Sequence, residues 1–231
     1  MAAVGSARGM HTPDAITIVT PLAHEAHCLG RHEESAAWTI LTSGPGRRGI
    51  ETSLDAVRPA SGSVVILAGT AGGLSPARST GEVIVAREVI DAGSGRRWTP
   101  SLLLGENDPR SGTLCVAEDL VSTIAEKQAL HEQTGADGVD LECAAFAALA
   151  EARGWNWGVI RGISDGPEAT LPTEAARWID SQGKTRLGAL LASLLLKPRL
   201  LSSLGRLRRD SLQAMDSVAR AMPDLLLRTG S

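Results

Sequence analysis

The chain has 231 residues, with 23 basic against 26 acidic side chains and a formal net charge of −3. That length suits one domain with a sizeable core, and the near-neutral balance excludes a global cationic field for nucleic acid. Three scattered cysteines (Cys28, Cys115 and Cys143) without a C-x-x-C pair fit reduced thiols in a cytoplasmic protein, not a disulfide framework, and the start lacks the apolar region of a signal peptide.

Residues 1–14 read as a loose, flexible terminus. Ile16–Thr20 is the first strand, Leu22–Leu29 the first helix, Thr39–Ser43 the second strand and Gly49–Val57 the second helix. A glycine-rich turn, Ser43-Gly-Pro-Gly-Arg-Arg-Gly49, precedes that helix. Val64–Gly69 is a fully apolar run that meets Thr70, Gly72 and Gly73 before Pro76. Such a run reads as a buried parallel strand entering a glycine turn, where backbone amides approach a ligand closely and Thr70 adds a hydroxyl. A glycine turn kept for packing reads the same way. Glu82–Asp91 and Thr113–Ala117 are further strands, and the connection Gly93–Gly112 between them is either a functional loop over a site or a mobile one.

A helix is expected over Ala117–Thr134, then a strand over Gly138–Leu141 that delivers Asp140 and Glu142 before an alanine-rich helix, Cys143–Arg153. Trp157–Ile163 is the last strand, in an apolar stretch that ends in Arg161, Ser164 and Asp165. Buried charge is unfavourable without a partner, so these residues should be paired or should face a cleft. Strands alternating with helices predict an α/β fold: a single domain with a central mixed, mostly parallel sheet flanked by helices, plus a C-terminal amphipathic helical tail. We place the domain at residues 15–180 and the tail at 181–231.

The tail begins with the apolar run Leu187–Leu196, too short to span a bilayer. Then Leu200, Leu201, Leu204, Leu207, Met215, Val218 and Met222 recur at helical spacing, with Arg199, Arg206, Arg208 and Arg209 near the start. The stripe either packs on the core or a second subunit, or forms a basic amphipathic surface helix on a membrane or lipid-like ligand. His24, His27, Cys28 and His32 share a helical face on which metal ligation is geometrically possible, but H-E-x-x-H is absent. The expectation is no metal, with His24 or His27 flanking a site beside Glu25.

Three motifs carry a resemblance. Gly69-Thr-Ala-Gly-Gly-Leu74, Asp140-Leu-Glu142-x-Ala-Ala and Arg161-Gly-Ile-Ser-Asp165 resemble, in order and spacing, the nucleoside phosphorylase and nucleosidase superfamily. They look most like its methylthioadenosine/adenosylhomocysteine nucleosidase branch. Residues 116–142 with the Arg-rich tail are similar to the hopanoid-associated phosphorylase subgroup, linked to release of adenine from adenosylhopane.

The resemblance implies cleavage of the N-glycosidic bond of an adenine nucleoside. That reaction builds positive charge on the sugar and negative charge on the departing base, so it needs an acid, ribose-binding groups and a positioned nucleophile. Asp165 matches the acid that protonates the purine, Glu142 the acceptor for two ribose hydroxyls, and Glu25 the residue orienting the attacking water. Leu141, where nucleosidases usually carry methionine, keeps an apolar wall under the sugar. Thr70 stands for a frequent serine, and with Ala71, Gly72, Ser164 and Arg161 it completes the substrate-binding set. Gly46 and Arg47 are candidates for phosphate, which leaves hydrolysis and phosphorolysis both open. No cofactor is implied, phosphate being a possible co-substrate.

The implied partners are a small adenine nucleoside, free or lipid-linked, and a second copy in a homodimer, with no nucleic acid. The implied location is cytoplasmic, with peripheral contact at the inner membrane surface open. Alternatives are a purine nucleoside phosphorylase for ordinary nucleosides and a non-catalytic nucleoside-binding protein, since fold does not fix function.

Overall fold

Strands in the middle of this chain are apolar at consecutive positions because both of their faces are covered. The computed structural model describes residues 15–172 and 200–227, apart from residues 33, 34, 36, 56, 61 and 106. The expected loose terminus and the run Leu187–Leu196 lie outside the described residues. In chain order the elements are β1 (Ile16–Thr20), α1 (Ala23–Leu29), β2 (Trp38–Thr42), α2 (Gly46–Leu54), β3 (Val64–Gly73), β4 (Val83–Asp91) and β5 (Arg97–Trp98). They continue with β6 (Ser111–Val116), α3 (Ile124–Thr134), β7 (Gly138–Asp140), α4 (Cys143–Ala152), β8 (Asn156–Asp165) and α5 (Leu200–Leu227).

One mixed sheet organises the domain. Parallel pairs join β1 to β2 and to β3, β3 to β8, β4 to β6, and β6 to β7. Antiparallel pairs join β3 to β7, β4 to β5, and β4 to β8. The strands β3, β8, β4, β6 and β7 therefore close on one another, with β1 and β2 extending outward from β3. Alternate residues of β3 serve two layers. Val65 and Leu67 join Ile50, Leu54, Phe146 and Trp157 on the side of α2 and α4. Val64, Ile66 and Ala68 join Leu29, Met215, Val218 and Met222 on the side of α1 and α5. The α/β architecture is as the sequence predicts.

Several local expectations need correction. The expected glycine turn at Gly69–Gly73 is strand: β3 runs on through Gly73, and its pairing with β8 shifts register between Ala71 and Gly72. Small residues here let β3 contact both β7 and β8 beyond the apolar run. The third helix begins at Ile124, not Ala117, because Thr123 caps it: its hydroxyl accepts the Glu126 amide and Glu126 accepts the Thr123 amide. The second helix starts three residues earlier than expected, so Arg47 lies in its first turn and not in a loop. The connection 93–112 does not cover the cavity described below. Its Trp98 is buried in the α4 layer, and Leu102 and Leu104 are buried in the α5 layer.

The tail stripe packs on the core: Met215, Val218 and Met222 are fully buried against the sheet. Helix α5 approaches β8 closely because residue 162 is glycine. A Cβ there would run into the backbone carbonyl of Ala214. Polar contacts tie α5 to other elements, including His24 to Ser211 at 3.2 Å and Arg110 to Asp224 at 2.7 Å. His32 faces Asp216 on the same helix at 3.7 Å. No helix among the described residues is long and apolar enough to cross a membrane.

Candidate active site

In open α/β sheets ligands bind outside the carboxyl ends of strands. A cavity of about 460 Å³ opens there, reached by the ends of β3, β7 and β8. Of the residues singled out from sequence, Glu25, Gly46, Thr70, Ala71, Gly72, Leu141, Glu142, Ser164 and Asp165 line it. Arg161 and Arg47 do not.

Arg161 lies beneath the cavity, fully buried on β8. Its Nε donates to Asp140 Oδ2 at 2.7 Å and its Nη2 to Glu142 Oε2 at 3.3 Å. Its Nη1 has no hydrogen-bond partner among the described residues, and it crowds Gly69 from the same side as both carboxylate oxygens of Glu25. A Cβ on Gly69 would meet this guanidinium, so glycine is required at the crossing. Asp140 also accepts the amides of Glu142 and Cys143 at 3.2 and 3.0 Å, which holds the start of α4.

Glu142 receives the Gly46 amide at 2.6 Å on its other oxygen. That amide is at the N-terminus of α2, where the helix field favours an anion. Burial above all, and then the neighbouring Asp140, push the Glu142 carboxyl up to about 7, while Arg161 and the Gly46 amide pull it down. Glu25, 1 % exposed, is held by three donors. The Thr70 amide and hydroxyl reach Oε1 at 2.8 and 2.9 Å, and the Leu22 amide reaches Oε2 at 3.0 Å. The proximity is long-range: Glu25 sits on α1, and Thr70 follows the apolar run of β3.

Asp165 is buried at the end of β8. Ser164 Oγ donates to its Oδ1 at 2.7 Å. Its ion-pair partner is Lys127 of α3, whose Nζ lies 2.6 Å from Oδ2. Burial raises the Asp165 carboxyl above its usual range, against the opposing pull of Lys127 and Ser164. Lys127 is the main residue that sequence reasoning missed. The loop before α3, contributing Glu118, Asp119, Leu120 and Val121 to the cavity wall, was also missed. The capping pattern Thr123-x-x-Glu126 was the available signal that this stretch is not helix.

Arg47 is 58 % exposed and pairs with Asp91 at 3.4 Å and Glu51 at 3.9 Å. Leu207 of α5 lines the cavity, so the C-terminal helix forms part of its wall. Among the described residues no group of three or more His, Cys, Asp or Glu side chains is placed to hold a metal ion.

A family model described as the phosphorylase superfamily matches residues 102–196. Among curated proteins, no sequence matches the chain. The 5′-methylthioadenosine/S-adenosylhomocysteine nucleosidase of Streptococcus pneumoniae, solved with a transition-state inhibitor, superposes with a TM-score of 0.65 at 15% identity, over 92% of this chain and 98% of that one. The native futalosine hydrolase of Helicobacter pylori gives 0.64 at 13% identity, over 91% and 96%. A putative nucleosidase of the same kind from Borrelia burgdorferi, bound to adenine, gives 0.63 at 15% identity, over 92% and 99%. The chain thus has the fold of these nucleosidases over nearly its whole described length, and its residues 102–196 carry the phosphorylase superfamily pattern.

Proposed function

We propose that this protein hydrolyses the N-glycosidic bond of an adenine nucleoside and releases adenine. The observation that carries the reading is the convergence in one cavity of the buried carboxylates Glu25, Glu142 and Asp165, each in a different setting. Asp165, raised by burial, is the acid. Glu142, held by Arg161 and the Gly46 amide, accepts the ribose hydroxyls. Glu25, beside the unpartnered Arg161 Nη1, suits a water molecule aimed at the sugar.

In the reaction, the Asp165 proton passes to a ring nitrogen of the base. The C1′–N9 bond breaks and its electron pair stays on the base. The water oxygen bonds to C1′ and its proton goes to Glu25. Positive charge developing on the sugar is stabilised by Glu142 and Glu25, so both interactions strengthen as the bond breaks. The reaction itself needs no cofactor.

Water is favoured over phosphate because the donors at the cavity are engaged by carboxylates, and Arg161 Nη1, without a hydrogen-bond partner among the described residues, is buried beneath the cavity wall beside Glu25. Thr70 donates to Glu25, Gly46 to Glu142, and Arg161 to Asp140 and Glu142. Arg47, the sequence candidate for phosphate, pairs with Asp91 and Glu51 outside the cavity.

The reading extends to a nucleoside with a bulky apolar 5′ substituent, with adenosylhopane in hopanoid synthesis as the specific candidate. Apolar walls from Leu22, Leu120, Val121, Leu171 and Leu207 support it, together with the likeness of residues 116–142 and the tail to the hopanoid-associated subgroup. A homodimer and contact of the exposed Arg206, Arg208 and Arg209 with an anionic membrane surface belong to the same reading.

The test is chromatographic assay of adenine after incubation with adenosine or 5′-methylthioadenosine, with and without inorganic phosphate. Release without phosphate is expected. A strict phosphate requirement would replace hydrolysis with phosphorolysis, and binding without any release would identify a nucleoside-binding protein.

A further inference from the structure

Lys127 is the buried residue of α3, whose other residues are half-buried or exposed. Burying an ammonium group fully is strongly unfavourable unless it is paired and hydrogen-bonded. Here Nζ donates to Asp165 Oδ2 at 2.6 Å and to the Gly166 carbonyl at 2.7 Å. Both partners lie at the end of β8, so a single side chain links α3 to the strand terminus that holds the acid. An apolar residue would serve packing at that position. A lysine that reaches a buried carboxylate lining the cavity serves something more.

We propose that Lys127 is a positioning residue for the acid: it fixes the Asp165 carboxyl in the cavity and stabilises the carboxylate left when the proton moves to the base. The inference rests on the assignment of Asp165 as the acid. When the proton leaves Asp165 for the purine, a carboxylate is created in a nearly dry site. The Lys127 ammonium is already in contact with it, so little reorganisation is required at that moment. Ser164, on Oδ1, supplies the second donor. The groups whose charge or hydrogen bonds act on Asp165 are Lys127 from α3, the neighbouring Ser164, and Asp210 from α5, which opposes ionisation. Lys127 is the cation among them. It makes Asp165 a stronger acid than burial alone would allow, because a nearby positive charge favours the ionised form.

Removing the cation therefore has two separable consequences. The proton is bound more tightly, so transfer is slower, and Asp165 stays protonated to higher pH. Lys127→Met and Lys127→Gln test this, the glutamine keeping a donor without the charge, with Lys127→Arg as the charge-preserving control. Thermal melting establishes that each variant is folded. With 5′-methylthioadenosine as the probe, Met and Gln should each lower kcat by tenfold or more and move one limb of the kcat/KM–pH profile upward, while Arg should leave both limbs in place. Carboxyl 13C NMR, with Asp165→Asn to assign the signal, should show Asp165 itself titrating at higher pH in Met and Gln, whether or not the probe is turned over. Folded Met and Gln variants with unmoved Asp165 titration would overturn the proposal, as would equal losses of kcat in Met, Gln and Arg with unmoved limbs, which mark a packing role. Near wild-type turnover in Asp165→Asn would sink the acid assignment instead, independently of Lys127.

Discussion

Glu142 sits under opposed influences: burial favours its neutral form, while Arg161 and the Gly46 amide favour the carboxylate. In the proposed role, accepting hydrogen bonds from two ribose hydroxyls needs the ionised form, so protonation on the acid side should remove activity. With the carboxyl pushed up to about 7, one limb of the kcat/KM–pH profile should be centred near pH 7. Glu142→Gln should abolish the acid-side decline and weaken nucleosides by roughly tenfold to a hundredfold, the equivalent of a charge-assisted hydrogen bond or two. It should scarcely change binding of free adenine, which has no ribose. Calorimetric titration with nucleoside and with adenine decides the matter, and equal loss for both ligands would reassign Glu142 to a structural role. The residue types at these positions were legible in the sequence, since Glu142 and Asp165 stand at the ends of apolar runs where an unpaired charge would be unfavourable. Their partners were not. Lys127 is 38 residues from Asp165 and Thr70 is 45 from Glu25, and no periodicity reports a contact at such separations.

At the scale of elements, α5 is positioned by the absence of one side chain. Gly162 on β8 lets the Ala214 carbonyl approach, and the same helix then brings Leu207 to the cavity wall. Gly162→Val should push α5 away from β8. Overpacking of this kind costs about 1–3 kcal/mol, which is roughly 2–12 °C in Tm for a chain of this size. Because Asp165, Glu142 and Glu25 lie on other elements, KM for 5′-methylthioadenosine should rise more than kcat falls. Differential scanning calorimetry and steady-state kinetics would check both, and an unchanged Tm and KM would show that α5 does not depend on this contact. The amphipathic stripe of this helix was readable from spacing, whereas the surface that it covers was not, because a core face, a second subunit and a membrane all satisfy the same pattern. The capping residues at the start of α3 were readable too, and they correct the helix boundary by seven residues, from Ala117 to Ile124.

Across the whole molecule, burial of Met215, Val218 and Met222 in the core restricts any membrane contact to the other side of α5. Arg206, Arg208 and Arg209 are exposed beside Leu207, at the cavity wall. Reversing all three to glutamate should abolish salt-sensitive flotation with anionic vesicles, each cation contributing about 1 kcal/mol near such a surface. Cleavage of a water-soluble adenine nucleoside should persist. If the wild-type chain does not float with anionic vesicles even at low salt, the membrane reading is wrong and the arginines are a solvated face. What the sequence by itself determined is the α/β class, the order of nearly all elements, and the chemistry available at the strand ends. These follow from local apolar runs, glycine and proline punctuation, and the unfavourable energetics of isolated buried charge. Only the tertiary structure decided which charges meet. By inserting β8 between β3 and β4, it set Asp165 against Lys127 and placed Arg161 beneath Glu142, because those contacts depend on strand pairing between segments far apart in the chain.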